Sequence, residues 1–181
     1  MVRTDVEERL TVIPEGTTVG LEGKLLTVKG PLGELEKDFS HAPVDIAVTS
    51  DGIAVRIYWA KKTERALVGT VAAHIKNMIR GVTKGFTYKL KVVFSHFPIT
   101  VKVDRNKILI ENFIGEKSPR MAKIVGSAQV TVTADDIIVR GMNLEDVSQT
   151  AANIELATKI KKKDSRVFLD GIYVYEKEES G

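Results

Sequence analysis

Thr18-Val19-Gly20-Leu21-Glu22 returns 82 residues later as Thr100-Val101-Lys102-Val103-Asp104, and the match runs without a gap to Leu32-Gly33-Glu34 against Ile114-Gly115-Glu116. A second block recurs at a spacing of 84. There Val48-Thr49-Ser50-Asp51-Gly52-Ile53-Ala54-Val55-Arg56 pairs with Val132-Thr133-Ala134-Asp135-Asp136-Ile137-Ile138-Val139-Arg140. Two blocks that keep their order and nearly their spacing mean one supersecondary plan used twice. The chain is therefore expected to hold two domains, residues 1–83 and 84–181, joined near Lys84. In each copy, short alternating strands lead to a helix about ten residues after the second block, and then to a returning strand.

Local chemistry fills in the plan. Leu21 and Leu25-Leu26 flank Glu22-Gly23-Lys24, Val103 and Ile108 flank Asp104-Arg105-Asn106-Lys107, and Asp51-Gly52 lies between Ile46-Ala47-Val48 and Ile53-Ala54-Val55. Each is turn chemistry between aliphatic or β-branched runs, which predicts antiparallel hairpins. A first helix is expected from about Glu64 to Arg80, capped by Thr63 and stopped by Gly81, with Leu67, Val68, Val71, Ala72, Ile75, Met78 and Ile79 on one apolar stripe. A second is expected to begin at Asn143, with Asp146 completing a capping-box-like pair. It should bury Val147, Ala151, Ile154 and Leu156, and be closed by Lys159 to Lys163. The fold class is α+β: two tandem repeats of a small, mostly antiparallel sheet with one helix packed against it.

Much chemistry is excluded. With no cysteine there are no disulfides, thiolate metal sites or cysteine nucleophiles. His41, His74 and His96 lie far apart without an i,i+4 partner, which argues against a zinc or triad reading. Asp135-Asp136 matches Asp51-Gly52 in the repeat, so it reads as a hairpin turn and not as a pair of catalytic carboxylates. Gly30-Pro31-Leu32-Gly33 is followed by neither Lys-Ser/Thr nor a helix, so it is a turn and not a phosphate loop. No enzyme activity and no cofactor are expected. No run approaches the roughly 18 apolar residues of a spanning helix, and Met1 to Glu8 contain no apolar signal core, so a cytoplasmic location with no membrane partner is expected.

Charge carries the functional signal. Residues 1–83 hold as many acidic as basic side chains, so the formal net charge of +3 lies wholly in residues 84–181. It gathers in Ala157 to Val174, where between Lys159 and Arg166 five cations, Lys159, Lys161, Lys162, Lys163 and Arg166, stand with one carboxylate, Asp164. Such a cluster repels itself in water and suits a polyanion whose binding releases condensed counterions. A helix C-terminus favours lysines through its dipole, but it does not need four. Phe168-Leu169-Asp170-Gly171-Ile172-Tyr173-Val174 reads as a loop closing onto a final strand, which anchors the lysines to a rigid element. An alternative is a protein-interaction module that pairs exposed sheet edges, Val44 to Val48 or Thr100 to Val103, with a partner strand. That reading leaves the lysines unexplained. A small-molecule enzyme with its site between the domains lacks converging catalytic groups.

Ala73-His74-Ile75-Lys76-Asn77-Met78-Ile79-Arg80-Gly81-Val82-Thr83-Lys84-Gly85-Phe86-Thr87-Tyr88-Lys89 and Phe94-Ser95-His96-Phe97-Pro98 resemble the L-six family of large-subunit ribosomal proteins, in its archaeal and eukaryotic form. So do Asn112 to Lys117, Glu145 to Ile154 and the Ala157 to Val174 stretch, the last being the family signature, and the resemblance covers nearly the whole chain. It implies two similar α+β domains and a non-catalytic place in the cytoplasmic ribosome. The expected partners are large-subunit ribosomal RNA, near the sarcin-ricin loop and the site where translation factors land, and neighbouring large-subunit ribosomal proteins. The second domain is expected to make the main RNA contact. Carried over by residue, the resemblance sets Lys159, Lys161, Lys162, Lys163 and Arg166 against phosphates, has Asp170, Gly171 and Tyr173 hold the loop shape, and lets Gln149 reach RNA. Five phosphate contacts imply a salt slope on the order of −3.5 to −4.5. Glu155 and Leu156 depart from the family's frequent glutamines and Ser165 from its common isoleucine, and Glu155 suggests that its turn of helix faces away from RNA. The charge-balanced first domain is expected to face proteins or solvent.

Overall fold

The computed structural model describes residues 6–59, 61–133, 135–161, 163–164 and 166–179, and it divides into two compact units, Met1–Lys84 and Gly85–Gly181. The first contains β1 (Val6–Thr11), β2 (Thr18–Glu22), β3 (Leu25–Gly30), β4 (Gly33–Asp38), β5 (Asp45–Thr49), β6 (Gly52–Tyr58) and α1 (Lys62–Thr83). Its strands form two antiparallel sheets, in the orders β2-β3-β4 and β1-β6-β5. Gly23 takes a φ of +64° in the β2–β3 turn, a left-handed conformation that glycine adopts without steric cost.

Helix α1 differs from expectation at both ends. Lys61 is the N-cap and its N–H donates to the Glu64 carboxylate at 2.7 Å, so an acidic side chain and not Thr63 ties the first turn. The helix runs through a buried Gly81 to Thr83, whose hydroxyl donates to the carbonyls of Ile79 at 2.9 Å and Arg80 at 3.1 Å. The left-handed glycine that ends it is Gly85, at φ +76°, directly after the cap residue Lys84. Val68, Val71, Ala72, Ile75, Met78 and Ile79 are buried in one core with Leu26, Val28, Phe39, Ile53 and Val55. Each large aliphatic side chain so buried contributes roughly 1.5–3 kcal/mol.

The second unit contains β7 (Phe86–Val93), β8 (Thr100–Asp104), β9 (Lys107–Glu111), β10 (Arg120–Lys123), β11 (Gln129–Val132), β12 (Asp136–Gly141), α2 (Leu144–Ala157) and β13 (Gly171–Glu179). The sheets here are β10-β9-β8 and β11-β12-β7-β13. Among the described residues the architecture is α+β, with antiparallel strands and one α-helix in each unit, and each unit shares its strands between two sheets. Leu26 and Val28 of β3 correspond to Ile108 and Ile110 of β9, and all four are wholly buried. Among the described residues, the returning strand expected after each helix is found only here. Strand β13 lies antiparallel on β7, whereas α1 leads straight on to β7 of the second unit, and among the described residues β1 pairs only with β6.

Helix α2 starts at Asn143, whose side chain accepts the N–H of Glu145 at 3.0 Å. Asp146 is not its capping partner. The Asp146 carboxylate turns to the preceding loop and accepts the N–H of Ser127 at 3.3 Å, hard against Gly126, which holds φ +56°. Val147, Ala151 and Ile154 enter a core with Ile108, Ile110, Phe113, Ile137, Val139 and Ile172. Leu156, expected in that core, is 62% exposed. The helix ends at Ala157 with no basic residue in its last turn, so the lysines form a loop beyond it. Among the described residues no helix is long and apolar enough to cross a membrane.

Candidate nucleic-acid interface

Two pins fix the backbone from which the lysines emerge. The buried Thr158 hydroxyl donates to the carbonyl of Glu155 at 3.0 Å and accepts the N–H of Ile172 at 3.0 Å, which ties the end of α2 to the start of β13. From β10, Arg120 donates through Nη1 to the carbonyls of Ala157 at 2.9 Å and Lys159 at 3.1 Å. Its Nε and Nη2 donate to the two oxygens of Glu116 at 2.8 and 2.6 Å, and its guanidinium lies 4.3 Å from the Phe113 ring centroid. Carbonyls at a helix end lack intrahelical donors, and the planar guanidinium supplies them while staying charge-paired. Hydrogen bonding from Arg120 holds the Glu116 carboxyl below the usual carboxylate range. Arg120→Gln is expected to lower the stability of the second unit by about 2 kcal/mol. Amide exchange should then accelerate at residues 157–161 and not in the first unit.

The far side of the loop is held by Asp170, which is 1% exposed. Its Oδ1 accepts the N–H groups of Ser95 at 2.8 Å and His96 at 3.1 Å, and its Oδ2 lies 2.7 Å from His96 Nδ1. Burial pushes this carboxyl up, but the hydrogen bonds from Ser95 and His96 outweigh it and bring the pKa down to about 2. The His96 ring stacks on Phe168 with centroids 4.6 Å apart, and Lys163 Nζ sits 4.4 Å from the Phe168 centroid. A chain of contacts thus runs from an exposed ammonium to a buried carboxylate. Gly171 is buried beneath Tyr173, and a Cβ there would fall 2.8 Å from the end of the tyrosine ring. The Tyr173 hydroxyl donates to the carbonyl of Leu169 at 3.2 Å. The one carboxylate in the cluster is turned to local structure, since Asp164 accepts the N–H of Arg166 at 2.9 Å.

Lys159, Lys161, Lys163 and Arg166 are exposed, Asp170 and Gly171 are buried beneath the loop, and Tyr173 is half-exposed, while Lys162 lies outside the described residues. Gln149 is exposed on α2 and donates to Asn153 at 2.9 Å, and Asn153 donates to the carbonyl of Lys123 at 2.9 Å, which sets this face of the helix beside β10. Lys159 and Lys161 line a groove of about 420 Å³ with Arg120, Met121, Leu156 and Ala157. Sequence reasoning missed Arg120, His96 and Phe168 as supports of the loop. Asp170 and His96 are 74 residues apart, and no local pattern joins them.

The model of the family described as Ribosomal protein L6 matches residues 13–85 and again 97–171, once on each unit. Large ribosomal subunit protein uL6 of Aeropyrum pernix is 54% identical over 174 residues, covering 96% of this chain and 95% of its own length. The uL6 of Staphylothermus marinus is 55% identical over 168 residues, 91% of each chain. That of Methanobrevibacter smithii is 48% identical over 177 residues, 98% of this chain and 97% of its own. A repeat matched on both halves and half-identical relatives along almost the whole length mean that the chain belongs to the ribosomal protein L6 family.

Proposed function

We propose that the second unit seats this chain on large-subunit ribosomal RNA near the sarcin-ricin loop and the translation-factor site, and that it stabilises the RNA structure there during translation. As a member of its family the chain is a structural constituent of the large ribosomal subunit and not an enzyme. Its place of work is then the cytoplasmic ribosome. The observation that carries the RNA reading is a set of exposed cations on a pinned backbone, with the only carboxylate among them occupied by its own turn. Lys159, Lys161, Lys162, Lys163 and Arg166 supply phosphate affinity that is blind to sequence, and Gln149 adds a polar contact. Register comes from the fixed loop, which Asp170, Gly171 and Tyr173 shape, because structured RNA is recognised largely through its form. The charge-balanced first unit is left to face neighbouring ribosomal proteins or solvent.

The test is a titration of the whole chain against a large-subunit RNA fragment containing the sarcin-ricin region, and against a generic duplex, across several salt concentrations. Tighter binding to the fragment that persists as salt rises is expected, with a slope on the order of −3.5 to −4.5. Equal binding to both RNAs, vanishing together with salt, would reduce the loop to a basic patch and turn attention to the edge strands β5 and β8.

A further inference from the structure

The two units serve as controls for each other. By register, the outer rows of the second unit's small sheet read Lys102–Leu109–Met121 and Asp104–Lys107–Lys123. The same rows in the first unit, through the same pairings of β2, β3 and β4, read Gly20–Thr27–Glu36 and Glu22–Leu25–Asp38. On the inner face the central-strand residues agree in kind, Leu26 and Val28 in one copy and Ile108 and Ile110 in the other, all wholly buried, so the fold asks for apolar residues there and asks for neither a methionine nor a lysine outside. Where one copy carries Glu36 and Asp38, the other carries Met121 and Lys123.

What the second copy places there costs stability by itself. Lys107 stands directly opposite Lys123, a cross-strand pairing of like charges that destabilises a sheet. Among the described residues neither lysine is in an ion pair, although Asp104 of β8 stands across from Lys107 on its other side. Met121 is 63% exposed and lies with the equally exposed Leu156 in the groove of about 420 Å³ that Lys159 and Lys161 border. A volume in the range of small-molecule sites, with an apolar flank, Lys159 and Lys161 at its edge and the Glu116-paired Arg120 in its wall, is complementary to one nucleotide: a flat base for the apolar flank and phosphates for the two lysines.

We propose that this groove takes an unpaired nucleotide of the RNA, its base against Met121 and Leu156 and its own phosphate on Lys159 and Lys161, with the next phosphate along the strand on Lys107 and Lys123, which share the outer face of β9 and β10 with Met121. This rests on the RNA-binding reading above and extends it from the lysine loop to a second surface on β9 and β10.

The experiment transplants the first unit's residues into the second, as Met121→Glu with Lys123→Asp, a change the same fold already accommodates at the equivalent positions. With the sarcin-ricin fragment as probe, the double variant is expected to bind at least about tenfold more weakly and with a salt slope shallower by about one. Its melting temperature should stay within a few degrees of the parent. Binding equal to the parent's overturns the groove, and if Lys161→Glu with Lys163→Glu still abolishes binding, the RNA reading survives without it. A parent chain that fails to bind the fragment overturns both. A benzophenone side chain placed at position 121 in assembled ribosomes identifies the occupant: a crosslink to RNA supports the proposal, and a crosslink to protein, or none, overturns it.

Discussion

A chain carrying Lys161→Glu, Lys162→Glu and Lys163→Glu is expected to lose measurable binding to the sarcin-ricin fragment while unfolding within a few degrees of the parent. Three reversals remove three of about five phosphate contacts and set three carboxylates against the same backbone, so the salt slope should fall from about −4 to about −1 or flatter. The fold has little stake in these side chains. Lys161 and Lys163 are exposed, and Lys163 sets its ammonium over the Phe168 ring and lies within electrostatic reach of Glu116. The ring contact is worth roughly 0.5–1 kcal/mol at an exposed site, and surface changes elsewhere usually fall within about 0.5 kcal/mol. Filter binding at several salt concentrations, paired with a thermal melt, separates the two effects. A triple variant that binds like the parent would move the phosphate contacts away from this loop and reject the assignment.

The repeat was legible because it is written in turn chemistry. Gly23 and Arg105 both take positive φ in equivalent two-residue turns, and such turns fix strand register without reference to anything distant. The end of α2 was harder to read, since its inward stripe continues through Thr150 and Thr158 and not through Leu156. Both threonines are buried, and each finds a backbone partner: Thr150 accepts the N–H of Val125 at 3.0 Å, and Thr158 accepts that of Ile172. An apolar-polar pattern passes over threonines whose hydroxyls are satisfied in the core and promotes the next leucine instead. The same limit hid the supports of the lysine loop. Charge density announced the cations themselves, but Arg120 and His96 matter through contacts across 37 and 74 residues, and neither stands in a local motif.

Asp170→Ala is expected to be the most damaging single change to the proposed interface, although Asp170 is almost wholly buried. It leaves the N–H groups of Ser95 and His96 without their acceptor and frees the His96 ring from its carboxylate. Stranded donors and a broken charge-assisted bond together cost on the order of 3 kcal/mol. Because His96 stacks on Phe168 and Phe168 lies under Lys163, the loop should loosen with it, and RNA affinity should fall even where the second unit stays folded. Acid offers an independent check with a definite sign. The folded carboxyl sits at about 2, below its ordinary value of 3.8, so its contribution is complete above that ordinary value and is lost as pH falls towards 2. The shift corresponds to a loss on the order of 2 kcal/mol across that window. Asp170→Asn, which cannot ionise, should lack this component of the acid sensitivity while keeping an acceptor for the two backbone N–H groups. Denaturant unfolding at pH 6, 4 and 2.5, followed through amide exchange at Ile172 so that the second unit is read by itself, measures both effects. Coincident acid profiles for Asp170→Asn and the parent, with Asp170→Ala as stable as either, would show that the loop is held by the pins at Thr158 and Arg120 alone.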